Sequence, residues 1–304
     1  MSKHYTFTFQ ALGGPCSLQL YAETAAEAEQ AAAAAAAEID RIEKRYSRYL
    51  PHSLLSKINA AARSGATIEL DSETTGLLDY AFACHRQSGG LFDITSGLLR
   101  KAWKFNRNRV PRRKTLDALL PRIGMEKLRW QSPTLEFTVA GMELDFGGIA
   151  KEYAVDRVVD ICRQLGVVHG LVELGGDIGI IGPHPAGSPW LIGIRHHRQP
   201  DTILITVPLQ GGALAVSGDY ERSIEKNGRR LSHILNPKTG WPCSGLSSVS
   251  IVADRCMVAG SISTIAMLKE KEGSAWLRTL NVPALFTADN DQLQTNQAWE
   301  KYFT

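Results

Sequence analysis

The stretch DFGGIAKEYAVD, residues 145–156, decides how this chain is read. Ahead of it, Met142 to Asp145 is an apolar run that ends on an acid. Within it begins a segment, Ile149 to Gln164, whose periodicity predicts a helix stopped by Gly166. Gly147 and Gly148 remove side chains just before that helix. The backbone N–H groups left free there, with the positive end of the peptide dipoles behind them, suit an anion such as a phosphate. Lys151 adds a point charge. Two glycines and a lysine fit a tight structural turn equally well, and the spacing is neither a dinucleotide-binding GxGxxG nor a P-loop.

Working outward, Leu135 to Val139 and Met142 to Asp145 predict a strand pair turning at Ala140 and Gly141. Upstream, residues 24–46 predict a helix, because Thr24 and Glu27 form a capping box and the run Ala31 to Ala37 has high helix propensity. A second helix is expected from Ser72 to Gly89 and Gly90, then a loop and a short helix carrying Trp103. The opening MSKHYTFTFQALGGPC predicts a strand. Downstream, LVEL, IGII, WLIGIR, ILITVPL, ALAVSG and SSVSIVA are short β-rich runs, and Asn227-Gly228 marks a hairpin between 221–226 and 229–234. Two helices, around Val258 to Leu268 and Glu272 to Leu280, and a hairpin with Asp289-Asn290 at its tip complete the chain. No linker or repeat interrupts it, so the expectation is one continuous α+β domain, 1–304, of interleaved mixed sheets and helices.

Composition narrows the function classes. The chain has 304 residues, 44% hydrophobic and 21% charged, which is ordinary for a globular protein with a sizeable core. A net charge of +3 without a basic run interleaved with aromatics gives no case for nucleic acid. The cluster from Arg109 to Lys114 reads as a solvated loop, as does His196-His197-Arg198. Five scattered cysteines with no CxxC pair suggest neither a disulfide framework nor a zinc site. No stretch reaches transmembrane length and no apolar leader opens the sequence, so a cytoplasmic protein without membrane insertion is expected.

Two further stretches carry polar residues on turns. LVELGGDIGIIG, residues 171–182, meets Gly175-Gly176 and then Asp177. VSGDYERSIEKNGRRLSHILNPKTGWP, residues 216–242, sets His233 after a hairpin strand and before the turn residues Asn236-Pro237 and Thr239-Gly240. Each alone has an ordinary structural reading. Together and in this order with DFGGIAKEYAVD and the helix holding Thr264, they resemble the FAD:protein FMN transferase (ApbE) family over nearly the whole chain. SRYLPHSLLSKIN (47–59) and LFDITSGLLRKAWKF (91–105) resemble that family's N-terminal flavin-contacting segments.

The resemblance implies an ApbE-like, T-fold-like architecture. It also implies an enzyme that splits FAD, attaches FMN through a phosphoester to a Ser or Thr of an acceptor protein, and releases AMP with the help of Mg2+. On matching positions it places Leu12, Tyr49, Leu91, Phe92, Asp93, Asp145, Lys151 and Thr239 against FAD, His233 as general base, and the carbonyl near Gly148 with Thr264 on the metal. A neutral imidazole is the right kind of group to take a hydroxyl proton near pH 7.

One position departs from the family. Where the metal helix should read Ala-Asp with a threonine four residues after the acid, this chain reads Ala259-Gly260-Ser261-Ile262-Ser263-Thr264. Magnesium is usually held by one or two carboxylates together with substrate phosphates, so this loss weakens the case for metal. Three readings stay open. A substitute carboxylate, Glu152 or Asp254, could complete the site; the chain could bind FAD without transferring FMN; or it could hydrolyse FAD to FMN and AMP. For Glu152, which stands where the family usually has glycine, the ordinary role of an acid on a helix's first turn takes precedence. For Asp254, a strand-end turn does.

Overall fold

Alternation of inward and outward side chains builds the first hairpin in this computed structural model, which describes residues 2–199, 201–220, 222–226 and 228–303. Strands β1 (Lys3–Ala11) and β2 (Gly14–Ala22) pair antiparallel and turn on Leu12 and Gly13, both at positive φ. Helix α1 (Ala25–Tyr46) follows with the expected capping box and buries Ala28, Ala31, Ala35, Ile39, Ile42 and Tyr46 along one stripe. Then come α2 (Leu54–Ser64), β3 (Thr67–Glu69), α3 (Ser72–Gln87), a 3-10 segment Ile94–Lys101, and α4 (Arg113–Asp117). Strands β4 (Leu128–Gln131) and β5 (Thr134–Phe137) complete a small sheet in the order β3-β5-β4.

After α5 (Ala150–Gln164) the chain is mostly sheet: β6 (His169–Leu174), β7 (Asp177–Gly182), β8 (Trp190–Arg195), β9 (Ile203–Leu209), β10 (Ala213–Gly218), β11 (Ser223–Lys226), β12 (Arg229–Ser232) and β13 (Leu246–Ala253). Helices α6 (Cys256–Leu268) and α7 (Gly273–Thr279), strands β14 (Ala284–Ala288) and β15 (Leu293–Thr295), and α8 (Gln297–Tyr302) end it. The main sheet is antiparallel in the order β1-β2-β6-β7-β10-β13-β14-β15, while β8-β9 and β11-β12 are separate hairpins. Helix α5 packs on β6 and β7, α6 packs on β10 and β13, and the two helices touch each other. A core from Cys16 to Phe286 fills the space under them, and a second cluster with Trp190, Val207 and Trp299 lies under the β8-β9 hairpin and α8. Burying each such leucine or valine contributes about 1.5–3 kcal/mol.

The expected helices and most of the expected strands form, with four corrections. Met142 to Asp145 is not a strand. Its backbone partner is a side chain: Leu144 N–H donates to Asn59 Oδ1 at 2.7 Å and Leu144 C=O accepts from Asn59 Nδ2 at 2.9 Å, while Asp145 N–H donates to Ile94 C=O at 2.8 Å. Strand β5 pairs with β4 and β3 instead. Helices α2, α4 and α8 were not expected, α4 taking in Arg113 and Lys114 of the cluster expected as a loop, and Trp103 lies just past the 3-10 segment rather than on it. The turn at His196-His197-Arg198 is not solvated. His197 is buried with Nε2 2.8 Å from Asp291 Oδ1, and Arg198 forks onto Asp219. Glu221 and Asn227 of the predicted hairpin lie outside the described residues.

Candidate active site

Three turns and a helix start converge at one end of the main sheet. Gly175 N–H donates to Pro15 C=O at 3.0 Å, which ties the β6-β7 tip to the β1-β2 tip. Gly175 and Gly176 both have positive φ, and a Cβ at Gly175 would meet the Lys151 side chain at 3.6 Å. The Lys151 ammonium reaches Asp177 Oδ2 at 2.6 Å and Gly175 C=O at 3.4 Å. From the other side, Arg222 comes within 3.8 Å of where a Cβ on Gly13 would stand, and its C=O accepts from His233 N–H at 2.9 Å.

His233 is solvent-exposed, and the charges near it are mostly cationic. Desolvation by the surrounding mass, then the charges of Arg222 and Lys151, push its pKa down to about 4, with Asp219 pulling the other way. The ring is therefore neutral at physiological pH. Tyr49 stands 69% exposed on the same rim with the Arg48 guanidinium over its ring at 5.1 Å. Burial opposes it, but Arg48, Arg222 and Arg100 together hold the phenol below its ordinary value. Arg48 also pairs with Asp145, whose Oδ1 accepts from Gly147 N–H at 2.9 Å. Any side chain at Gly97 would collide with Asp145, so this close approach requires glycine.

Beneath the rim lies an acidic floor between α5 and α6. Asp156 accepts from Cys256 N–H at 2.7 Å and Met257 N–H at 3.1 Å, capping α6 from a neighbouring helix. One turn earlier on α5, Glu152 is 6% exposed, and its Oε2 has no hydrogen-bond partner among the described residues. It faces Gly260, where a Cβ would stand 2.5 Å from Glu152 Cγ. Burial first, then the neighbouring Asp177, raises the Glu152 pKa against the pull of Lys151. Thr264 Oγ1 lies 3.2 Å from Ser217 Oγ, which also holds Ser263 Oγ at 2.8 Å. Among the described residues no group of three or more His, Cys, Asp or Glu gathers as a metal cluster, so a cation here would need hydroxyl and carbonyl donors as well. Asp254 is exposed in the turn before α6.

The remaining predicted residues lie in loops around the rim. Phe92 is buried, and its ring is 3.5 Å from where a Cβ on Gly148 would be. Asp93 ties its loop to a distant turn: Oδ1 accepts from Thr95 N–H at 2.8 Å and Oδ2 from Met125 N–H at 3.0 Å. Leu91 is half-buried and donates to Ser88 Oγ at 3.1 Å, and Leu12 donates to Glu43 Oε2 at 3.1 Å. Thr239 is exposed on a turn organised by Asn236, with Trp241 N–H donating to its Oγ1 at 3.2 Å. Trp241 closes that turn against Trp103, edge to face at 5.4 Å. A cleft of about 410 Å³ between this turn and the 85–93 segment is lined by His85, Asp93, Gly124 and Lys238. Sequence reading names Asp177 without a role and passes over Arg48, Arg222 and Asp156; the first two adjoin quoted motif residues, while nothing local marks Asp156 as a cap for a helix 100 residues away.

The pattern of the ApbE family matches residues 12–286. The chain belongs to the ApbE family. A curated relative from Klebsiella pneumoniae, named FAD:protein FMN transferase, is 30% identical over 94% of this chain and 90% of its own length. The solved structure of the ApbE protein from Thermotoga maritima superposes with a TM-score of 0.90 at 29% identity, covering 99% of this chain and 100% of that one. The Pseudomonas stutzeri flavinyl transferase ApbE superposes at 0.88 and 28% identity, covering 99% and 97%. Among the described residues of this ApbE-family chain, no helix is long and apolar enough to cross a membrane.

Proposed function

We propose that the chain is an FAD:protein FMN transferase that works as one unit over residues 1–304. The observation that carries this reading is His233, an imidazole open to solvent, tied by its backbone N–H to Arg222 C=O and kept neutral by desolvation and the charges of Arg222 and Lys151. The cations suit the pyrophosphate of FAD, and the imidazole suits the acceptor hydroxyl. In the step itself, His233 takes the proton of a Ser or Thr hydroxyl. The freed oxygen bonds to the FMN-side phosphorus, and the bond from that phosphorus to the bridging oxygen breaks. AMP leaves with the bonding pair. Arg222 and Lys151 offset charge that grows on the phosphate oxygens, and Arg48 fixes both Asp145 and the Tyr49 ring that would flank the flavin. Leu12, Leu91, Phe92, Asp93 and Thr239 shape the loops around that ligand.

A divalent cation would be held by Glu152, Thr264 and the carbonyl near Gly148, and when bound it supplies charge neutralisation of the pyrophosphate. The buried, unpartnered carboxylate oxygen of Glu152 supports the fit. The five cysteines, all buried and unpaired among the described residues, favour a reducing cytoplasmic setting for enzyme and acceptor.

The reading is tested by incubating the protein with FAD, Mg2+ and a peptide carrying a flavinylation motif, with mass spectrometry for the FMN adduct and chromatography for AMP. Adduct with AMP is expected, and H233A should lose transfer while retaining FAD. Bound FAD with neither product would leave a binding protein, and free FMN with AMP a hydrolase.

A further inference from the structure

Helices α5 and α6 run antiparallel and meet in steps of four residues. Asp156 bonds the N–H of Cys256, and one turn along, Glu152 fills the space beside Gly260. Each step is about 6 Å along a helix, so the next step on α6 is Thr264, and the α5 side of that step is the turn at Gly147 and Gly148 that leads into the helix. Position 260 is where the resemblance calls for an acid, and position 152 is where it calls for glycine; here the two are exchanged. The exchange is steric as well as chemical. A side chain on residue 260 and the glutamate at 152 compete for one space, since a Cβ would stand 2.5 Å from Glu152 Cγ and Glu152 would have to move.

The exchanged carboxylate is also unsatisfied. Glu152 is buried, one of its oxygens has no partner among the described residues, and Lys151 already pairs with Asp177 at 2.6 Å. Burying an unpaired carboxylate is costly, and a bound cation removes that cost. Ser217 on β10 meanwhile orients the Thr264 hydroxyl, and Ser263 is turned back onto Gly260 C=O at 2.9 Å.

We infer that Glu152 carries, from α5, the metal-binding carboxylate that residue 260 on α6 lacks, completing a site for a magnesium-like divalent cation with Thr264 and the carbonyl near Gly148. This rests on the reading of the site as a pyrophosphate-splitting centre, but its test does not need turnover. Purified protein with FAD and no acceptor is titrated with Mn2+, and free Mn2+ is followed by electron paramagnetic resonance. E152Q, which keeps the side-chain volume, should bind Mn2+ roughly tenfold to a hundredfold more weakly. Without metal it should melt at the same temperature as the native chain or higher, because it removes a buried carboxyl whose ionised form burial disfavours. E152G/G260D, which returns the acid to α6, should recover most of the affinity.

E152Q binding Mn2+ as tightly as the native chain overturns the assignment, and so does a folded E152G/G260D protein that does not regain binding. If that double variant does not fold, the E152Q titration decides alone. A native chain that binds no Mn2+ with FAD present overturns the cation site. Mn2+ bound through Glu152 with no flavin adduct ever formed overturns the transferase reading and leaves the Glu152 assignment standing.

Discussion

The rim of the site is built of cations that face water, whereas its floor is built of carboxylates that do not. Arg48, Arg222 and Lys151 each have a partner or an open face, and His233 among them stays neutral. On the floor, Asp156 is fully engaged by two N–H groups, while Glu152 keeps one oxygen without a partner. Two carboxylates one helical turn apart thus do different work. The satisfied one positions a helix, and the unsatisfied one, its pKa raised by burial, leaves an oxygen open to a cation.

The comparison breaks most readily at Gly260. G260A should destabilise the fold by about 1–3 kcal/mol, since the new Cβ would drive Glu152 off its rotamer. In a double-mutant cycle, E152A should relieve that penalty, leaving a clear coupling energy between the two positions. Additive losses in thermal melts would mean that the helices do not pack as described. Next in size, D156A leaves the Cys256 and Met257 N–H groups without an acceptor and should cost about 1–2 kcal/mol. Unlike E152Q, it should lower the melting temperature whether or not Mn2+ is present. On the rim, D145N should cost under about 1 kcal/mol, because the Arg48 pair is partly solvated. Its larger signature should be weaker FAD binding by titration, as Arg48 loses the charge that holds it beside Tyr49.

How much of this was legible beforehand follows from how local each signal is. The α1 capping box, the α5 boundaries and the short strands depend on neighbouring residues, and they form where the spacing places them. The backbone of Met142 to Asp145 was misjudged because its partner, Asn59, lies 85 residues away. Likewise the residue type at 152 could be read, but not its direction. An acid on a first helical turn is ordinarily solvated, and only the packing of α6, with a glycine at the point of contact, turns it inward. Motif order singled out His233 and Lys151 as candidates. The cations that tune His233, Lys151 on α5 and Arg222 ahead of β11, lie 82 and 11 residues away in the chain, so its perturbed pKa has no linear signature.

That pKa gives the smallest and most specific test of the rim. If His233 is the base, transfer must fail as the pH drops through its pKa. Because the folded value is lowered to about 4 from 6.5, the acid limb of kcat/KM should lie well below that of an ordinary imidazole. The same shift makes the unfolded chain bind a proton that the folded chain refuses between these two values. Stability should therefore decline as pH falls through that window, and H233A should lose that part of the slope. R222Q removes a cation that disfavours the imidazolium, so it should move the limb upward by roughly half a unit to one unit. A limb that stays in place in R222Q while H233A abolishes transfer would keep His233 as base and assign its lowered pKa to desolvation and Lys151. A limb that persists in H233A would take the base away from His233, leaving the rim as a binding surface for the pyrophosphate.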